Sequence, residues 1–292
     1  MFPCTCRLDV TDPALLPGPP SITLSYDPAR YHDCTLPFAP FSPAASQSST
    51  FGLPLPSLDT SYSVDRGASC NCPLFSSVCA HSNGTHTECA GHVLPGARTL
   101  ASCGVVGGVS PALLVTVAPR ALGGSGDAYA PGEAADQVVC AAALAAALAA
   151  APDWARALLR CGGALCVRTP GGKAGVKWAG AGAPYFTPAA MAVAVGAGAR
   201  HLLTDLPSLD READGGALLA HPAWWALPPR GGGGGGGGAD EGGAGAAGNS
   251  NSATELCCFP EAAGDGVFVL ALSIAPWEAD AAPSRVHLHP LL

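Results

Sequence analysis

The chain has 292 residues, of which 48% are hydrophobic and only 12% charged, with 38 glycines, 28 prolines and a formal net charge of −8. So high an apolar share at so small a net charge excludes a solvated disordered protein. The acidic balance supplies no basic stripe for nucleic acid and no polybasic segment for a membrane surface.

Length permits one large α/β domain or two small ones. Residues 1–62, rich in Pro, Ser and Leu, show no sustained periodicity and read as loops and short strands over a core formed downstream. From Ala68, the segment ASCNCPLFSSVCAHSNGTHTECAGHVL predicts one or two strands running into a histidine-bearing turn. PALLVTVAP, bounded by Pro111 and Pro119, predicts a buried strand; an alanine-rich helix near 134–150 and a short strand, ALCVRT, at 164–169 follow. Thr187–Pro188 opens another helix, with threonine as N-cap and proline at the first helical position. HLLTDL at 201–206 predicts a buried strand, and TELCCFP (254–260) with GVFVLALSIAP (266–276) predicts a closing antiparallel pair. Helix and strand in alternation argue for α/β architecture. Gly231–Gly238 and the ADEGGAGAAGNSNS after it bury too little to offset their ordering entropy, so 231–252 is expected to be a flexible surface insertion.

The most apolar run, Val138 to Ala151, is mostly alanine and shorter than the roughly 20 residues of a membrane span. MFPCTCRLDV lacks the basic leader and apolar core of a secretory signal. Thirteen cysteines, an odd number, with no CxxC, fit buried reduced thiols better than a disulfide framework or zinc ribbon. These features lead to an expected cytoplasmic location, an organellar one being left open.

The chemistry concentrates in HSNGTHTECAGH, which holds His81, His86, Glu88 and His92. In an extended segment, positions 82, 86, 88 and 92 share a face and His81 points to the other. If the chain turns helical after Glu88, His92 is four residues on and again adjacent. Both geometries join His86, Glu88 and His92, the nitrogen and oxygen donors of zinc, manganese or iron hydrolases. Ordinary polar loop residues are the alternative reading. Gly84 would allow close backbone approach, and Thr85 a supporting hydrogen bond. Asp205, Ser208 and Asp210 follow a strand's carboxyl end, where α/β sites often lie; a turn and helix cap explains them equally well. Trp224, Trp225, Tyr185 and Phe186 suit either an aromatic substrate or core packing. TPGGKAG lacks the Ser/Thr of a phosphate loop, and no G-x-S-x-G is present, which argues against nucleotide binding and a serine-hydrolase elbow.

NGTHTECAGH resembles the signature of the cyclase family of metal-dependent hydrolases, which includes arylformamidases: His-x-Gly-Thr-His-x-Asp-x-x-x-His. RGASCNC, PALLVTVAP, ALCVRTP, YFTPAAM, HLLTDLPSLDRE, GALLAHPAWW and TELCCFPE…GVFVLALSIAP are similar to that family in the same order, from about residue 66 to the C-terminus. The resemblance implies one domain over residues 1–292, with a mixed β-sheet core, flanking helices and the swivelling β/β/α fold. It implies a divalent metal, zinc or else manganese, as one or two ions. It makes His86 and Glu88 ligands, Glu88 replacing the family's aspartate and able to bridge. His221 and Glu255 become further ligands, and His92 the acid–base residue. The family's first histidine is Ser82 here, a poor ligand; with His81 expected to face away, either one functioning ion or a shifted pair is left. The implied activity is hydrolysis of N-formyl-kynurenine to kynurenine and formate, in tryptophan catabolism. Opening of a cyclic amide or ester such as isatin, and a non-catalytic metal-binding protein on the same fold, are the alternatives. A small-molecule substrate is implied, with no nucleic-acid or membrane partner, as is a homo-oligomer, dimer or tetramer.

Overall fold

The structure, a computed structural model, describes residues 6–10, 22–39, 49–171, 182–228 and 249–292. The N-terminal part contributes β1 (Cys6–Val10), β2 (Ile22–Tyr26), β3 (His32–Asp33), β4 (Ser57–Asp59), β5 (Leu74–Ser76) and β6 (His86–Glu88). Next come β7 (Gly108–Thr116), β8 (Arg120–Ala121), β9 (Gln137–Val139), α1 (Ala141–Ala150), α2 (Asp153–Arg160) and β10 (Ala164–Arg168). The rest is β11 (Tyr185–Phe186), α3 (Pro188–Gly196), β12 (His201–Thr204), α4 (Ala220–Trp224), β13 (Ser252–Glu255), β14 (Gly266–Ile274) and β15 (Ala281–Pro290).

Local chemistry accounts for the helices. The α1 run, AAALAAALAA, uses the two strongest helix formers and buries Leu144 and Leu148, one turn apart, on one face. It begins seven residues later than the sequence predicts, because the β-branched Val138 and Val139 extend as β9 between β8 and β11. In α3 the Thr187 hydroxyl accepts the Ala190 N–H at 3.1 Å and Pro188 occupies the first turn. The capping chemistry read from Thr187–Pro188 is therefore the one found.

The main sheet runs β14-β7-β10-β12-β13-β6-β15, and β15 pairs back onto β14, closing a seven-stranded ring to which β3 adds outside β15. β7, β10, β12 and β13 are parallel, whereas β6, β14 and β15 join antiparallel. Period-two alternation splits the wall into two faces. Ala112, Leu114, Ala164, Cys166, Leu203, Leu270, Val286 and Leu288 pack in one cluster, whose small members suit a narrow barrel. Leu113, Val115, Leu165, Val167 and Leu202 pack with residues of α1 and α3 in the other.

Two expectations are corrected. Residues 254–260 and 266–276 do not pair with each other. β13 lies between β12 and β6, while β14, apolar on both faces, takes β7 and β15 as partners. Residues 231–248 of the expected insertion lie outside the described residues, but Asn249, Asn251 and Ser252 at its end are hydrogen-bonded. Asn249 donates to Trp225 O at 3.0 Å, and Ser252 opens β13. Among the described residues, no single helix is long and apolar enough to cross a membrane.

Candidate metal centre

Two short strands set the geometry. In β6, His86 and Glu88 share a face by parity, and the register sets Glu255 of β13 opposite His86. The intervening Thr87 and Thr254 face the other way and pair hydroxyl to hydroxyl at 2.7 Å. The approach to β6 depends on Gly84, where a Cβ would sit 2.8 Å from Leu36 O. Next to it, the Thr85 hydroxyl accepts the Leu36 N–H at 2.7 Å and donates to Leu256 O at 2.6 Å. A single side chain thus ties two distant segments to the strand.

His221 arrives from α4. Asp210 accepts the Ala220 and His221 N–H groups at 2.6 and 3.0 Å, and the His221 Nδ1–H as well. The cap reading of Asp210 is therefore correct but incomplete: the same carboxylate aims the imidazole. Trp224 and Trp225 are buried, with indoles donating to Ser252 O and Asn251 O at 3.2 and 2.8 Å, so they pack rather than line an open site. Tyr185 and Phe186 are buried in the same core.

The side chains converge. His86 Nε2 lies 3.3 Å from Glu255 Oε2, and His221 Nε2 lies 3.0 Å from Glu88 Oε1 and 3.6 Å from Glu255 Oε1. His86 turns its Nδ1 to Gly84 O at 3.1 Å, leaving Nε2 for the cluster. His92, on a short 3₁₀ turn after β6, is the more open member, its side chain 26% exposed and its ring centred 5.1 Å from that of His221.

At Ser82 the structure departs from the sequence reading. Its buried hydroxyl accepts the Thr50 N–H at 2.8 Å and donates to Thr50 O at 3.2 Å, bonds that engage it with the backbone of another segment. His81 faces the cluster instead, with Nδ1 3.1 Å from Glu88 Oε2. The expectation that His81 points away fails because residues 80–83 form a turn, to which strand parity does not apply. Asp280, 3.0 Å from His81 Nε2 and 3.3 Å from His92 Nδ1, carries no local sequence signal and was not anticipated.

Burial opposes charge throughout this nest, and the groups offset it on one another. Glu88 is held well below the usual carboxylate range despite desolvation, by His92 and His221. Desolvation and Glu88 act to raise Glu255, but His221 and His86 lower it further. Burial works against the charge on His81 and His221 too, yet the carboxylates win: Asp280 and Glu88 lift His81 to about 10, and Glu88 and Asp210 lift His221 well above its usual value. The site is thus a nest of carboxylates demanding positive charge.

These groups fit a divalent metal. His86 Nε2, His221 Nε2 and both Glu88 oxygens are buried and meet only one another, His81 or Glu255 at 3.0–3.3 Å, without well-aligned hydrogen bonds among the described residues, an arrangement costly unless a cation completes it. Two overlapping sets, His81/Glu88/His92 and His86/Glu88/Glu255, each bring ligand atoms within 4.8 Å of one another, with Glu88 common to both. Imidazole plus carboxylate suits zinc, manganese or iron.

Comparison with solved structures finds the same fold. A "predicted metal-dependent hydrolase" from Bacillus stearothermophilus is 17% identical, with a TM-score of 0.52 over 89% of this chain and 98% of its own. An isatin hydrolase bound to the product analogue thioisatinate is 12% identical, with a TM-score of 0.55 over 90% and 92%. Isatin hydrolase A from Ralstonia solanacearum is 13% identical, with a TM-score of 0.55 over 89% and 91%. Comparison with curated protein sequences finds no match. The family profile described as "Putative cyclase" matches residues 32–211, more than half of the chain, and on that match the protein belongs to the cyclase family.

Proposed function

We propose that this protein is a metal-dependent amide hydrolase, acting as an arylformamidase on N-formyl-kynurenine. The observation that carries a hydrolytic reading is the buried set His86, Glu88, His221 and Glu255, with the half-buried His81 and His92 at its open side. His81, His86, Glu88, His221 and Glu255 would hold one or two divalent ions, zinc or else manganese, Glu88 being common to both candidate sets. When bound, such an ion supplies Lewis acidity toward a carbonyl and lowers the pKa of water to about 7. His92 Nε2 takes the proton of the attacking water and returns it to the departing aryl amine nitrogen, as general base and then general acid. Asp210 and Gly84 O hold the rings of His221 and His86, each leaving an Nε2 lone pair for the cluster.

The structural likeness to isatin hydrolases supports a second candidate substrate, a cyclic aryl amide, whose scissile bond likewise joins a carbonyl carbon to an aryl nitrogen. Metal analysis of purified protein, followed by assays of zinc- and manganese-loaded samples on N-formyl-kynurenine and isatin, tests both. Turnover of the formyl amide supports the arylformamidase, and turnover of isatin alone moves the assignment to the cyclic amide. Bound metal with no turnover of either leaves a metal-binding protein and refutes the enzyme.

A further inference from the structure

The structure assigns Asp280 a positioning role: its carboxylate fixes the ring tautomer of His92 and the ring orientation of His81, so that His92 presents Nε2 and His81 presents Nδ1 to the cluster. The inference rests on the hydrolase reading for its purpose, although its geometry stands alone. Asp280 lies in the turn between β14 and β15, and that turn is anchored on both sides of the segment bearing His92. Asp280 O accepts the Cys89 N–H at 3.0 Å, directly after Glu88, and Ala279 O accepts the Leu100 N–H at 2.9 Å. The Asp280 backbone is therefore fixed relative to His92 by residues flanking it in sequence.

One oxygen, Oδ2, serves both rings, at 3.0 Å from His81 Nε2 and 3.3 Å from His92 Nδ1. The rings stack above it with centroids 4.2 Å apart and 29° between planes. An ionised carboxylate only accepts, so each nitrogen facing it carries the proton. A neutral imidazole has one N–H, and placing it toward Asp280 leaves the lone pair on the opposite nitrogen. For His92 that nitrogen is Nε2; His81 has Glu88 Oε2 3.1 Å from its Nδ1 as well, so without a metal it carries both protons, and a cation at Glu88 would displace the one on Nδ1. His86 and His221 reach the same cluster through the other nitrogen, since their Nδ1 atoms are engaged by Gly84 O and Asp210. The mixed usage follows from where each partner stands. The side chain of Asp280 is 35% exposed, so its loss removes little folding stability. It touches a candidate ligand and the candidate proton carrier together, whereas Asp210 touches a candidate ligand alone.

The test is ¹⁵N spectroscopy of histidine side chains in wild type, Asp280→Ala and Asp210→Asn, metal-free and zinc-loaded, in mildly alkaline buffer, with His92 assigned through His92→Gln. Wild type is expected to show His92 in the Nδ1–H form. Asp280→Ala should shift it toward the Nε2–H form that free histidine favours, and Asp210→Asn should leave it alone. Chelator competition should show zinc held roughly 10–100-fold less tightly in Asp280→Ala. An unchanged His92 tautomer in Asp280→Ala overturns the proposal. Failure of wild type to bind zinc or hydrolyse an amide would instead remove the hydrolase reading, while the metal-free spectra still decide the role of Asp280.

Discussion

Replacing Asp210 with asparagine tests how His221 is held. Its carboxylate accepts four donors: Tyr129 OH at 2.7 Å and Ala220 N–H at 2.6 Å on Oδ1, with His221 N–H and His221 Nδ1–H on Oδ2. Asparagine offers one accepting oxygen, so its NH₂ must face one of these pairs. Facing the first, it leaves the Ala220 N–H without an acceptor, although Tyr129 OH can still donate to Asp214, 3.0 Å away. Facing the second, it strands the His221 N–H and forces Nδ1 to accept, which keeps the ring proton on Nε2 and removes the lone pair that a cation beside Glu88 would need. Either way one buried N–H is unpaired, at about 1–3 kcal/mol. In the second case the zinc affinity also falls roughly 10–100-fold. Urea unfolding of metal-free protein measures the first effect and chelator competition the second. A variant with wild-type stability and wild-type zinc affinity would refute the reasoning.

Glu88→Gln should lose metal and activity together while keeping the fold, since a neutral amide binds a divalent ion poorly; full metal content in the variant, by elemental analysis, contradicts that. Ser82→His should leave zinc affinity unimproved and lower the melting temperature, because the hydroxyl it replaces is buried and engaged by the Thr50 backbone. Gly91→Ala would place a Cβ 2.5 Å from Arg98 O, so the turn bearing His92 must shift; a loss of about 1–3 kcal/mol is expected in denaturant unfolding. Burial pushes the Asp205 carboxyl up to about 6 in spite of its bonds from Thr169, so its contribution to stability is full below about 4 and is lost as pH rises through about 6. Comparing unfolding of wild type and Asp205→Asn across that window should isolate a difference on the order of 2–3 kcal/mol.

The sequence made part of the site legible for a plain physical reason. His86 and Glu88 are two apart in a strand, and that spacing alone sets them on one face. Motif resemblance singled out His221 and Glu255, and the fold brings both to that strand. Legibility ended where periodicity ended. Residues 80–83 turn, so the parity that excluded His81 and admitted Ser82 had no force there. Asp280 joins His92 across 188 residues and sits in a turn without a pattern of its own, so only the closed ring makes them neighbours. β15 was missed in the same way: the buried Val286 and Leu288 alternate with the more exposed Arg285 and His287, a weak alternation beside the continuous apolar run of β14.

Ring closure also governs when the ligand set can exist. β6 is three residues long, and its neighbours in the ring are β13 and β15, at residues 252–255 and 281–290. During synthesis at about 5–20 residues per second, His86 and Glu88 leave the ribosome on the order of 10–40 s before β15 follows. For most of that interval both edges of β6 lack their eventual strands, β13 following only shortly before β15, and the wall that sets two carboxylates beside three imidazoles is incomplete. A metal held at this centre would therefore be captured late, in step with insertion of the closing strand. Conditions that slow that insertion should lower the metal content of the finished protein even when the metal is abundant.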